Sequence, residues 1–376
     1  MAASPPRSAY IHVPFCVHRC GYCNFAVVAG REDLVEPFLQ ALAVELSWLG
    51  KSCEVDTLYF GGGTPTFLAP EQLQTLCELA LHWHPLADGY EWTVEANPAD
   101  LDRDRIEVLA RLGVNRLSLG AQSFNDDKLT ILQRDHRADD IGRAVQLARE
   151  ADMRVSLDLI FAAPGETFEQ WQTDLDQALA LAPDHLSTYG LTYERGAPFW
   201  SLRQRGDLTA VPEEVERDMY LWAIERLGQA GYEHYEISNF AQPDQRSRHN
   251  EVYWSGDGYF AAGPGAARYV DGQRETNHQS TTTYLRRVLG GQSPVAQREC
   301  LNDQQRAREQ LVFGLRRLEG VDRHTFFRCT GFELDHLVGA EIARFVELGM
   351  LRDDGTCVRL TREGLLVSDS LWPELL

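Results

Sequence analysis

The stretch Tyr10-Ile11-His12-Val13-Pro14-Phe15-Cys16-Val17-His18-Arg19-Cys20-Gly21-Tyr22-Cys23-Asn24-Phe25 joins a short apolar run to three cysteines at CxxxCxxC spacing. The run predicts a strand from Ser8 to Phe15, with the thiols converging from one loop at its carboxyl end. Three thiolates can hold a cubane iron-sulfur cluster and leave its fourth iron open. The competing reading is zinc, with His12 or His18 completing a Cys3His site around Cys16, Cys20 and Cys23. Structural zinc sites usually pair two CxxC knuckles, and here a single loop carries all three thiols, which favours the cluster.

Outward from that strand the chain alternates. Helical periodicity from Asp33 to Leu49 precedes a strand at Asp56–Gly61, and Pro70–Trp83 is a helix opened by proline. Strands follow at Tyr90–Asn97, Arg116–Gln122, Arg154–Ala162 and His185–Tyr193, separated by helical segments at Asp102–Leu112, Asn125–Leu132, Asp139–Ala151 and Phe168–Leu181. Six strand-then-helix units imply a parallel sheet with right-handed crossovers. A closed barrel needs eight, so the predicted fold class is α/β, an open partial (β/α)6 barrel. After Glu194 the rhythm breaks. Residues 1–238 are assigned to this core with a trailing helix (Glu213–Ala230) and strand (Tyr232–Ile237), residues 239–300 to a loop-rich segment, and residues 301–376 to a C-terminal helical, winged-helix-like domain. That last domain is read from helices, a hairpin turning at Asp353-Asp354-Gly355-Thr356, and a short final helix from Thr361.

A length of 376 residues and a formal net charge of -20 describe a chain with ample core whose binding is not dominated by nucleic-acid phosphates. Five further cysteines (Cys53, Cys77, Cys300, Cys329, Cys357) are scattered without motif spacing, which fits a reducing compartment. The N-terminus has no signal-peptide core, and no window reaches the ~20 apolar residues of a spanning helix. A soluble, cytoplasmic protein is expected.

Polar residues recur where strands end. Gly61-Gly62-Gly63-Thr64-Pro65 follows the second strand, and its glycines let backbone approach a ligand or simply fold a tight turn. Glu95, Gln122 and Asp158 close later strands, and Arg134 lies just beyond. Each alone is an ordinary strand-end or helix-end polar group. Because parallel α/β barrels build their sites from the carboxyl ends of the strands, these residues are expected to share one mouth with the cysteine loop.

The cysteine loop, flanked by Phe15, Tyr22 and Phe25, resembles the signature of the radical S-adenosylmethionine superfamily. With GGGTP, Ala121-Gln122-Ser123-Phe124, Asp158-Leu159-Ile160, Pro164-Gly165-Glu166-Thr167 and Glu236-Ile237-Ser238-Asn239-Phe240-Ala241, the chain from about Ala9 to Arg268 is similar to the oxygen-independent coproporphyrinogen oxidase family. The resemblance implies that Tyr10, Gly62, Gly63, Thr64, Glu95, Gln122, Arg134 and Asp158 contact S-adenosylmethionine beside a 4Fe-4S cluster. One departure matters: the oxidases continue as CxxxCxxCxC, and Phe25 stands at the fourth cysteine's position. That pattern resembles the HemW-type haem chaperones, as does His249-Asn250-Glu251-Val252-Tyr253-Trp254, which matches an HNxxYW haem-binding motif. His249, Tyr253 and Trp254 become candidate haem contacts, since imidazole is a common axial ligand and aromatic rings offer flat apolar surfaces. Without the resemblance, an ordinary loop histidine beside core aromatics is the better reading.

Three functions follow. The first is a haem chaperone that hands haem to acceptor proteins, respiratory ones among them, with a flavodoxin or ferredoxin as electron donor and a homodimer as its assembly. The second is a coproporphyrinogen oxidase working through a 5'-deoxyadenosyl radical. The third, a zinc-stabilised nucleic-acid-binding module, is disfavoured by the acidic balance.

Overall fold

Strands β1 (Ser8–Val13), β2 (Val55–Gly62), β3 (Leu86–Ala96), β4 (Arg116–Gln122), β5 (Arg154–Phe161) and β6 (His185–Gly190) lie side by side, all parallel, in chain order. The computed structural model describes residues 5–376, so the first four residues of the span assigned to the core lie outside the described residues. Between the strands run α1 (Val35–Ser47), α2 (Pro70–Trp83), α3 (Arg103–Leu112), α4 (Asp126–Ile131), α5 (Ala138–Glu150) and α6 (Phe168–Ala180). Local chemistry sets their ends. Asp102 caps α3 by accepting from Arg105 N at 2.8 Å, and Gly113 stops it at φ +102°.

The strands alternate in character, apart from a register shift near Val55 in β2 and the apolar Ile160 in β5. Ile11, Leu58, Phe60, Val94, Leu117, Leu119, Leu157 and Leu186 enter one large core shared with the helices. The intervening residues are polar: Tyr59, Thr93 and Glu95, then Arg116, Ser118 and Gln122, then Ser156 and Asp158, then His185 and Ser187, all lining one cavity. Barrel interiors are normally filled by branched aliphatic residues. Here period-two alternation makes the concave face polar and leaves it open.

The sheet is larger than six strands. Helices α7 (Pro198–Arg205) and α8 (Glu213–Gln229) lead to β7 (Glu233–His234), shorter than the predicted Tyr232–Ile237, and to β8 (Asn239–Ala241). After α9 (Arg248–Ser255) comes β9 (Phe260–Ala262), and the full order is β9-β1-β2-β3-β4-β5-β6-β8-β7. β9 pairs parallel with β1 through Ala9↔Phe260, while β8 pairs antiparallel with β6 through Phe240↔Leu186. Among the described residues the two edges do not meet, so no closed barrel forms. The segment expected to be loop-rich is thus built into the core: Phe240, Phe260 and Ala262 are buried there, and β10 (Ala267–Val270), β11 (Gln273–Asn277), α10 (Thr281–Leu289) and β12 (Val295–Cys300) add a three-stranded sheet and a packed helix. A boundary at residue 238 would cut the sheet, because the short strands β8 and β9 draw their stability from partners far away in sequence.

The C-terminal part has a core of its own. It comprises α11 (Asp303–Arg316), β13 (Val321–Asp322), α12 (Arg323–Thr330), α13 (Leu334–Glu347), β14 (Leu351–Asp353), β15 (Cys357–Leu360), α14 (Arg362–Leu366) and α15 (Ser368–Leu375), packed around Leu311, Phe326, Leu337, Phe345 and Val358. Helices followed by the β13-β15-β14 sheet give the winged-helix-like arrangement, with Gly355 at φ +83° in the expected hairpin turn. Among the described residues no helix is long and apolar enough to cross a membrane.

Candidate functional site

The cysteine loop folds back on itself. Phe15–Cys16 pairs in parallel with Val28–Ala29, and Cys23 N donates to Cys20 O at 3.2 Å. Cys16 and Cys23 are half-buried, Cys20 is buried, and all three thiols are free and line a cavity of about 1340 Å³. Burial pushes the Cys16 thiol up to about 12 and raises Cys23 as well. Such thiols stay protonated until a metal supplies the charge that makes thiolate the better form. Among the described residues no three His, Cys, Asp or Glu side chains gather tightly enough for a single ion.

The glycine turn is clamped to this loop. Gly63 N donates to Val13 O at 2.8 Å and Thr64 N to Phe15 O at 2.7 Å, while Thr64 Oγ1 lies 3.7 Å from Cys16 Sγ. Gly62 sits at φ +103°, and a Cβ there would fall 2.3 Å from the His12 ring; one on Gly63 would fall 2.5 Å from Phe15 O. Packing against β1 therefore demands glycine at both positions, whatever the turn binds.

Two half-buried carboxylates face the same space. Glu95 accepts from Tyr59 Oη at 2.8 Å and from Gly62 N at 3.0 Å, yet burial lifts its pKa to about 7, with Asp158 adding to the rise. Asp158 accepts from Ser118 Oγ at 3.1 Å and is likewise raised by burial. Arg134 reaches across from beyond α4: Nη1 donates to Cys20 Sγ at 3.4 Å, and Nη2 donates to Gly120 O at 3.0 Å and Asn97 Oδ1 at 3.1 Å. Its Nε is buried without a partner. Gln122 ends β4 at φ +62° and lines the cavity too. This combination of thiols, a cation, two carboxylates and a half-buried glycine turn can hold a metal cluster and orient a zwitterionic ligand beside it.

Asn250 of the HNxxYW stretch lines this cavity, but Tyr10, His249, Tyr253 and Trp254 do not. Tyr10 Oη is 3.1 Å from His12 Nδ1, and its ring stacks on Tyr59. His249 is 1% exposed: Nδ1 is 2.9 Å from Thr57 Oγ1 and Nε2 is 2.8 Å from Tyr253 Oη, so both ring nitrogens are engaged. Burial takes its pKa down to about 3. Its backbone N–H donates to Glu91 at 3.2 Å, and its ring stacks on Tyr59 at 5.0 Å, so α9 closes the sheet interior below the cavity. Trp254 packs against Arg316 at 4.5 Å and Phe313, joining α9 to α11.

Residues 10–178 match the Radical SAM superfamily and residues 301–367 the HemN C-terminal domain. The chain is 35% identical over 371 residues to the "Heme chaperone HemW" of Bacillus subtilis, covering 97% of this chain and 98% of that one. This chain belongs to the HemW family. The HemW of Escherichia coli K12 is 33% identical over 385 residues, covering 99% and 98% of the two chains. A zebrafish relative, "Radical S-adenosyl methionine domain-containing protein 1, mitochondrial", is 35% identical over 384 residues, covering 98% and 86%. Among solved structures, the coproporphyrinogen III oxidase HemN of Escherichia coli superposes with a TM-score of 0.87 at 22% identity, covering 99% of this chain and 90% of that one, which shows the fold.

Within this HemW-family fold, several cavity residues escape sequence reasoning. Ser118, Ser187 and Asn97 hold or flank the carboxylates and Arg134, and Leu365–Ser370 of the C-terminal part form one wall. The alternation of polar with apolar residues along β4 and β6 carried the signal for the serines. Nothing local marks the C-terminal wall.

Proposed function

We propose that this protein is a haem chaperone, binding haem in the cytoplasm and passing it to acceptor proteins, respiratory ones among them. What supports this most is identity along nearly the whole chain to proteins named heme chaperones, with Phe25 where the oxidase pattern places its fourth cysteine. Cys16, Cys20 and Cys23 would hold a 4Fe-4S cluster, which supplies one open iron and one-electron chemistry when bound. Glu95 would accept the ammonium of S-adenosylmethionine, the turn at Gly62, Gly63 and Thr64 would present backbone to it, and Arg134 would keep a cation against Cys20. Gln122 and Asp158 would complete the polar lining, with Tyr10 supporting Tyr59 from behind. A cavity of about 1340 Å³ exceeds the roughly 300–1,000 Å³ of ordinary small-molecule sites and leaves room for a second ligand. His249, Tyr253 and Trp254 enter as haem contacts reached only when His249 gives up Thr57 and Tyr253. A flavodoxin or ferredoxin donor and a homodimer complete the proposal.

The test is a haem titration of anaerobically reconstituted protein, followed by mixing with an apo-globin. A stoichiometric Soret shift and transfer to the globin are expected. Protoporphyrinogen formation from coproporphyrinogen, with reductant and S-adenosylmethionine present, would make the protein an oxidase instead.

A further inference from the structure

Among the described residues eleven large hydrophobic side chains are exposed, and four of them, Val17, Phe25, Tyr189 and Val367, line the cysteine-loop cavity. Phe25, at 67%, is the most exposed of all. Exposed apolar side chains gathered at one opening mark a binding surface. They come from three separate parts of the fold: the cysteine loop, the end of β6, and the turn between α14 and α15.

Two histidines line this cavity. His185 is buried, with Ser156 Oγ and Tyr235 Oη each 2.8 Å from its ring nitrogens. His18, between the apolar pair on the cysteine loop, is exposed. Beside it Arg19, also exposed, donates to Cys23 O at 3.3 Å. Glu213, Glu214, Glu216 and Glu363 also line the cavity, with Arg217 among them. An occupant that fits is a flat apolar macrocycle with a metal at its centre and acidic arms: apolar edges for its faces, an exposed imidazole for its metal, and exposed cations for its arms, Arg19 beside that imidazole and Arg217 among the glutamates.

We propose that the mouth of this cavity is the first seat of haem, with His18 as the iron ligand, while His249 remains bonded inside; this rests on the chaperone reading. Haem binding should be followed by absorbance in the intact protein, for wild type, His18→Ala, Phe25→Asp, His249→Gln and, as a control on the exposed face of α12, His324→Ala. His18 and Phe25 are exposed, so their replacement leaves the fold intact, which circular dichroism checks. The expected result is a displaced Soret maximum and at least a tenfold weaker Kd for His18→Ala, a weaker Kd with an unchanged Soret maximum for Phe25→Asp, and no change for His324→Ala. His18→Ala binding haem with the wild-type spectrum and affinity would overturn the assignment, as would loss of binding confined to His249→Gln. A wild type that binds no haem would instead sink the chaperone reading.

Discussion

Glu95 shows how one residue ties stability to ligand binding. Its carboxylate has two donors, Tyr59 Oη and Gly62 N, but burial and the facing Asp158 still hold its pKa near 7. An acid whose pKa is raised in the fold keeps a proton that the unfolded chain releases, so stability falls as pH rises from about 4.5 to about 7, by about 3 kcal/mol in all. Glu95→Gln should remove its share of that slope and leave the shares of Asp158, Asp100 and the other carboxyls that burial raises, measured by denaturant unfolding of cofactor-free protein at pH 5 and 7.5. For the bound ammonium the sign reverses, because only ionised Glu95 attracts it. Affinity for S-adenosylmethionine should therefore rise with pH up to about 7 in wild type and stay flat in Glu95→Gln; an unchanged slope in the variant would place the titrating group elsewhere. At the cysteines, Ala at position 16, 20 or 23 should abolish the brown chromophore of anaerobically reconstituted protein. A variant that keeps a full cubane would mean that the loop holds something else.

At the level of elements, α9 owes its position to His249 more than to helix propensity. An eight-residue helix is marginal alone. His249→Ala would strand Thr57 Oγ1 and Tyr253 Oη and open a void, costing about 2–4 kcal/mol, read as a lowered denaturation midpoint. With its pKa depressed from 6.5 to about 3, His249 also makes the fold acid-sensitive: the unfolded chain gains a proton that the native ring refuses, and stability is lost as pH falls below about 6.5. His84, His136, His185 and His234 shift the same way, so His249→Gln should lessen this acid sensitivity without abolishing it. These contacts also explain what could be read in advance. The six core strands were legible because period-two alternation spans each of them, and Glu95, Gln122 and Asp158 because polar residues stood where apolar runs stopped. β8 and β9 were not, since three residues carry no period and only their pairing with β6 and β1 makes them strands. Glu45 was hidden for the same reason. A glutamate on the apolar face of α1 makes sense only once Tyr284 Oη, Asn277 Nδ2 and Gly263 N, donating at 2.6, 2.7 and 2.8 Å, have folded against it from residues more than 200 positions away.

Over the whole molecule, the two larger of three hydrophobic cores lie in the two parts of the chain that wall the cavity, and their separateness has a testable consequence. The C-terminal core around Phe345 shares no buried residue with the core of the sheet, yet Leu365–Ser370 wall the space into which the cysteine loop faces. The units are joined by Trp254 of α9 packed on Arg316 and Phe313, by the half-buried Arg274–Glu309 pair, by a bridge between Glu236 and Arg317, by Leu318 N donating to Tyr235 O at 3.1 Å, and by the Arg362–Glu225 ion pair. Exposed pairs of that last kind contribute little, about 0–1 kcal/mol. Truncating Phe345 to Ala removes a side chain that is 2% exposed and should cost about 3–5 kcal/mol, borne by the C-terminal unit alone. Local opening of that unit would then uncover the cavity while the sheet stays folded. In cluster-free Phe345→Ala, alkylation of Cys16 and Cys23, mapped by mass spectrometry to separate them from the exposed Cys300 and Cys329, should be at least tenfold faster than in wild type, with hydrogen exchange in β1–β6 unchanged. Equal alkylation rates despite a loosened C-terminal unit would show that this wall does not control access, and that the cysteine loop is shielded by the barrel alone.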